Sequence, residues 1–145
     1  VETAGWGTYF EETFDSDPGW AIDNGTFPSN GWAFGQPTGG ENDGYGGPDP
    51  SAGYTGDTVY GVNLNGDAPS NTGTNELKLT TPTIDLSDAT SAQLRFRRWL
   101  GVEYDNWDHA RIRLSIDGGS TWQTVWENGS DTIDVSSRIT RSCGK

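Results

Sequence analysis

Glu12, Asp15 and Asp17 follow one another within six residues near the start of the chain. Asp105, Asn106 and Asp108 form a second oxygen-rich run, and Asp57 and Asn63 flank a β-rich run between the two. A hard cation such as calcium takes roughly six to eight oxygens from carboxylates, carbonyls and amide side chains, so these residues are the candidate ligands. The EF-hand spacing is not among them, because no D-x-D-x-D-G loop is followed by a glutamate at its last position. The plainer use of such acids is to cap turn N–H groups. Glu12 is the exception. It sits between Phe10 and Phe14 in an apolar alternation, where a buried carboxylate without a partner is costly.

Other chemistries find little purchase. His109 is the single histidine, which excludes a multi-histidine zinc centre and reads best as a strand-end residue beside Asp108. No G-x-S-x-G elbow occurs, and Cys143 lies in a tail that reads as unstructured. Paired carboxylates for glycoside hydrolysis need a cleft, and acids this numerous pair by chance. The residues point to no enzyme. The string SIDGGSTW at 115–122 fits the Asp-box pattern best known from sialidase propellers. It occurs once and lies between two β-rich runs, with Asp-Gly-Gly at the bend. Asp-Gly is a strong hairpin signal because glycine accepts the positive φ of the turn, so the box reads as structural.

Aromatic residues offer a binding surface. Trp20, Trp32, Tyr45, Tyr54, Tyr104 and Trp107 lie in or beside loops, where sugar rings or peptide side chains stack. The alternative use is packing, and Trp32, Trp99, Trp122 and Trp126 are the expected core. Tyr45 and Tyr54 fall in a Gly/Pro/Asp-rich loop over 35–56, too long for a mere connection. Asn24-Gly25-Thr26 and Asn128-Gly129-Ser130 are glycosylation sequons of a kind that chance supplies in such a chain.

The elements that position these groups are short strands. Expected runs cover 8–14, 31–34, 58–64, 76–80, 93–100, 110–116 and 121–127, separated by turn clusters. In 93–100, Leu94, Phe96 and Arg98 alternate against Arg95, Arg97 and Trp99. In 110–116, Ile112, Leu114 and Ile116 are expected inward. No stretch shows sustained helical periodicity and none repeats, so the fold class is all-β, an antiparallel sandwich.

With 145 residues the chain has room for one domain with a core. Only 31% of residues are hydrophobic, yet there are seven Trp, five Tyr and five Phe, so a few large aromatics must build that core. The net charge of −12 is uneven: residues 1–77 hold twelve acids and no Lys or Arg, while 78–145 hold nine of each sign. Scattered, solvated or metal-neutralised carboxylates are the ways such a half is tolerated. Nucleic acid is excluded as a partner because phosphate binding needs clustered cations. No apolar run is long enough for a membrane span and no signal-peptide pattern is present. One cysteine allows no intrachain disulfide, a role that calcium fills in many exported bacterial proteins.

The order of motifs then carries a resemblance. Phe10-x-Glu12-Thr13-Phe14-Asp15 is followed by Trp32-x-x-Gly35-x-Pro37, Gly47-Pro48 and GDTVYG at 56–61. Asn63-Leu64-x-Gly66, LTTPTIDLS at 79–87, Leu94-x-Phe96-x-x-Trp99 and the run from Asp108 to Trp122 complete the series. Over about residues 8–127 the chain resembles the MAM-like jelly-roll modules of secreted bacterial peptidases of the immune inhibitor A type. It is also similar to the cleaved-adhesin domains of gingipains. The resemblance implies a two-sheet jelly roll, non-catalytic, with structural calcium held by a first-strand Glu and an Asp that opens a late strand. The matching residues are Glu12 and Asp108, with Asp15 a weaker match and Asp57 and Asn63 weaker still. MAM domains proper carry disulfides, which this chain cannot. A further strand is expected after residue 127, and IDVSSRITRSCGK resembles it only in part, as a truncated or rearranged end would.

The function expected from all this is that of a non-catalytic, calcium-binding adhesion or substrate-targeting module of a larger exported bacterial protein. Its parent would be secreted or cell-surface, with a catalytic domain such as a peptidase, and its partner an extracellular protein or glycan. It is expected to be monomeric in isolation. The rival is a carbohydrate-binding module that uses Tyr45, Tyr54 and Trp107. A polysaccharide-active enzyme is a distant third.

Overall fold

The computed structural model describes residues 7–40, 49–70, 72–102, 106–129 and 132–144, the last as backbone only. Eight strands run in the order β1 Ala21–Asp23, β2 Trp32–Gly35, β3 Val59–Val62, β4 Lys78–Thr80, β5 Ser91–Val102, β6 Arg111–Leu114, β7 Gln123–Glu127 and β8 Thr132–Gly144. The described residues form no helix, so none is long and apolar enough to cross a membrane. The fold is all-β and antiparallel.

Pairing is nested, and the same way in each half of the chain. β2 pairs with β3 inside the pair β1–β4, and β6 pairs with β7 inside the pair β5–β8, all antiparallel. β1 also lies beside β2. A long hairpin folded back on itself yields this order, which is the winding that a jelly roll uses. The extra residues at the Arg98/Leu100 and Ile112/Arg113 register shifts bend the β5–β8 and β6–β7 ladders locally.

Four expectations need correction. Residues 8–14 form no strand. The Phe14 N–H is bonded at 2.8 Å to Glu12 Oε1, its carbonyl accepts from Thr58 Oγ1, and its φ is +62°. Side chains have taken the groups that a ladder would use, so extended pairing stops there. The C-terminal run is no loose tail. Its backbone forms β8 along the whole of β5, and Cys143 stands in register with Ala92. The side chain of Cys143, like Tyr45, Tyr104 and Asp105, lies outside the described residues.

The third correction concerns 110–116. Ile112 is half-buried, but Leu114 is 37% and Ile116 93% exposed, because β6 ends at Leu114 and the turn beyond it projects into solvent. The fourth concerns the core. Trp99 and Trp122 are 40% and 48% exposed, and Trp32 and Trp126 are only half-buried. Among the described residues Ala89 and Pro37 are the buried apolar side chains.

Packing centres instead on Trp20, which stacks on Tyr60 at 5.5 Å and 15°. Phe14 meets both rings edge-on at 5.1 and 5.7 Å, and Phe34 meets Tyr60 at 5.4 Å. Edge-to-face and offset contacts at these separations are the favoured aromatic geometries. They hold Phe14 in a left-handed conformation that a bulky residue otherwise avoids. Trp20, expected in a loop platform, therefore turns its rings to Tyr60 and Phe14 and is half-buried.

Candidate functional site

Segment 12–17, which holds Glu12, Asp15 and Asp17, crosses the approach to β3. Thr58, just before β3, bonds to the Phe14 carbonyl, and a Cβ on Gly56 would stand 3.2 Å from Asp15 Oδ1. Glycine at 56, with φ +79°, is what lets the Asp15 carboxylate approach the loop beside Asp57. Asp15 Oδ2 also accepts from Thr13 Oγ1 at 2.8 Å. Half-buried Glu12 is partnered by the Phe14 amide, so its burial is matched by a hydrogen bond.

Asp17 accepts from the Tyr60 hydroxyl at 2.7 Å and from the Gly19 N–H at 2.8 Å. Those bonds, the tyrosine's first, hold its carboxyl below the ordinary range. Tyr60 is pushed upward by burial and then by the Asp17 bond.

Asn63 and Asp108 make bonds of their own. Asn63 is past the other end of β3 with φ +45°. Its amide donates to the Asp67 carbonyl at 2.5 Å, so it shapes a turn. Asp108 precedes β6, and its carbonyl accepts from Asn128 Nδ2 at 2.9 Å. The donor chemistry of Glu12, Asp15 and Asp57 suits a hard cation. Among the described residues, however, no three His, Cys, Asp or Glu side chains form a metal-holding group.

Two asparagines act as latches. Asn24 Oδ1 accepts from Trp32 N at 2.7 Å, and Asn24 Nδ2 donates to Trp32 O at 3.1 Å. Asn128, 5% exposed, accepts from Ala110 N at 2.8 Å and donates to Asp108 O. Each amide mimics a strand partner, and each belongs to a sequon whose acceptor nitrogen is thereby engaged. Gly31 is forced by the first latch, since a Cβ there would fall 2.2 Å from the Asn24 amide. His109 bonds to Glu127 at 3.2 Å, at the strand end as expected.

The Asp box is fully occupied by its own turn. Asp117 Oδ1 accepts from Thr121 N at 2.9 Å and from Ser115 Oγ at 2.8 Å, while Oδ2 accepts from Thr121 Oγ1 at 2.6 Å. Gly118 and Gly119 take φ +70° and +88° at the bend. Trp122 Nε1 closes the corner on the Gly119 carbonyl. These bonds, led by Thr121, lower the Asp117 carboxyl to about 2.

Two of the expected platform aromatics are exposed. Tyr54 is 62% and Trp107 75% exposed. The Arg97 guanidinium lies 4.1 Å from the centre of the Tyr54 ring, and its Nη2 donates to the Tyr54 hydroxyl at 3.1 Å. Sequence reasoning picked out Tyr54 but missed Arg97. The signal was present in the alternation of Arg95, Arg97 and Trp99 on one face of β5.

Over 114 residues the chain is 28% identical to Bacillopeptidase F of Bacillus subtilis strain 168, a stretch covering 79% of this chain and 7% of that protein. No protein-family model matches the chain. No solved structure matches it.

Proposed function

We propose that this chain is a non-catalytic targeting module of a larger exported bacterial protein, one whose catalytic part is a peptidase. The observation that carries the reading is the similarity itself: nearly four-fifths of the chain aligns with a small fraction of a long protein named as a peptidase. An all-β unit with exposed aromatics, of the MAM-like kind that the motif order resembles, suits attachment better than chemistry. Fold alone does not assign function, so the exposed side chains matter. Tyr54 and Trp107 favour a glycan as the target, because flat rings with a wet edge stack on sugars.

The proposal includes structural calcium. Glu12 and Asp108 are its ligands by the resemblance, with Asp15 next and Asp57 as a further oxygen. The approach of the Asp15 carboxylate to Gly56 supports it, and the ion would tie segment 12–17 to the later strands.

The test is retention of a reporter fused to this chain on bacterial cell-wall and extracellular-matrix preparations. Retention above that of the reporter alone, together with no hydrolysis of peptide or polysaccharide substrates by the chain, is the expected result. A fusion that washes through, or a chain that cleaves either substrate, overturns the reading.

A further inference from the structure

The charges of the β5–β8 ladder oppose those of the rest of the molecule. β5 contains Arg95, Arg97 and Arg98 and no acid, and β8 contains Arg138 and Arg141 with Asp134 as its one acid. Five of the nine cations thus stand on two paired strands of a chain whose net charge is −12. The register sets Arg138 directly opposite Arg97. Like charges at opposed positions of an antiparallel pair are unfavourable unless something neutralises them.

The cations of the other ladders are already paired. Arg113 makes two bonds to Glu76, Arg111 bonds to Glu76 and Glu127, and Lys78 bonds to Asp23. Among the described residues no ion pair reaches Arg95 or Arg97: Arg95 bonds to Gln93, and Arg97 lies over Tyr54. Beside them on the same strand face is Trp99, 40% exposed.

We infer that this face, Tyr54 with Arg95, Arg97 and Trp99, binds a carboxylate-bearing polysaccharide. The inference deepens the targeting reading and rests on it. A guanidinium presents a planar fork that matches a carboxylate with two parallel bonds, and Tyr54 engages one of its five N–H donors. The Tyr54 ring is held in place by Arg97 yet stays 62% exposed, so a sugar ring can lie beside the guanidinium that takes its carboxylate. Arg95 and Trp99 flank Arg97 at about 7 Å each along the strand, one offering charge and the other a ring to adjoining sugars. The net charge of −12 disfavours a polyanion on the rest of the molecule and so directs it to this ladder.

The experiment is calorimetric titration of the intact chain with hyaluronan oligosaccharides, which carry a carboxylate on every second sugar, and with neutral chito-oligosaccharides. Binding of the first and not the second is expected, weakening as salt is raised. Arg97→Gln should lower affinity about tenfold or more, as loss of a charge-assisted bond does. Tyr54→Ala should weaken it too, and Lys78→Gln, at a cation paired elsewhere, should leave it unchanged. Circular dichroism of each variant verifies the fold. Equal binding of the neutral sugar, no binding of hyaluronan, or equal loss in Arg97→Gln and Lys78→Gln overturns the inference. If the reporter fusion is still retained on cell wall or matrix in that event, the targeting reading stands and only the anionic ligand fails.

Discussion

Asp117 shows what one carboxylate does when every lone pair is used. Its folded value, about 2, lies below the ordinary 3.8, so it favours the folded state above the ordinary value. That contribution is lost as pH falls from about 4 towards 2, when the folded carboxylate takes up its proton. Acid melts of the wild type and of Asp117→Asn should therefore differ at neutral pH and converge over that interval. A constant difference down to pH 2 would mean that the turn does not depend on the charge. Asn128 illustrates the other kind of polar residue, buried and fully bonded. Asn128→Ala strands the Ala110 N–H and the Asp108 carbonyl, and should lower unfolding free energy by about 2 kcal/mol in a denaturant titration. Glycosylation at Asn128 of the folded chain would contradict its latch, because a side chain this buried leaves no room for a glycan.

Between residue and fold, the segment from Phe10 to Trp20 acts as a clasp rather than a strand. It is held to β3 by ring contacts and by three hydrogen bonds, from Thr58 to Phe14, from Tyr60 to Asp17 and from Trp20 N to the Tyr60 hydroxyl at 3.0 Å. Tyr60→Phe keeps the rings and removes the last two bonds. The loss of the Trp20 bond should cost about 1 kcal/mol. The same variant should return Asp17 towards its ordinary value, which a carboxylate NMR titration reads directly; an unmoved Asp17 would show that the Gly19 bond alone sets it. The period-two pattern of Phe10, Glu12 and Phe14 was legible and its partners were not. Alternation reports which side chains share a face, whereas the Phe14 backbone was captured by Glu12 and by Thr58, 44 residues away.

Across the molecule, the uneven charge has a structural use. The first half has no cation of its own before Lys78, and its Glu76 and Tyr54 reach arginines of the second half, Arg113 and Arg97. Glu76 is held below the ordinary range chiefly by its Arg113 bonds. With both side chains more than a third exposed, such a pair is worth at most about 1 kcal/mol and less in salt. The calcium proposal makes a larger claim. Added calcium should raise the thermal midpoint and EDTA lower it, with Glu12→Gln and Asp108→Asn abolishing the difference. An unchanged midpoint, with no metal found by elemental analysis, removes calcium from the proposal and leaves the targeting reading intact.

Strand-forming runs, the absence of helical periodicity and the Asp-Gly-Gly bend determined an all-β antiparallel chain and its β6–β7 hairpin, because each depends on neighbours a few residues apart. Six of the seven expected runs overlap observed strands, from 31–34 through 121–127. Tertiary structure alone decided that β8 pairs with β5, that Trp20 rather than Trp99 or Trp122 is packed, and that Arg97 lies on Tyr54. Each of those outcomes joins segments some 40 residues apart, and composition or periodicity within one segment says nothing about which distant partner completes its hydrogen bonds or covers its rings.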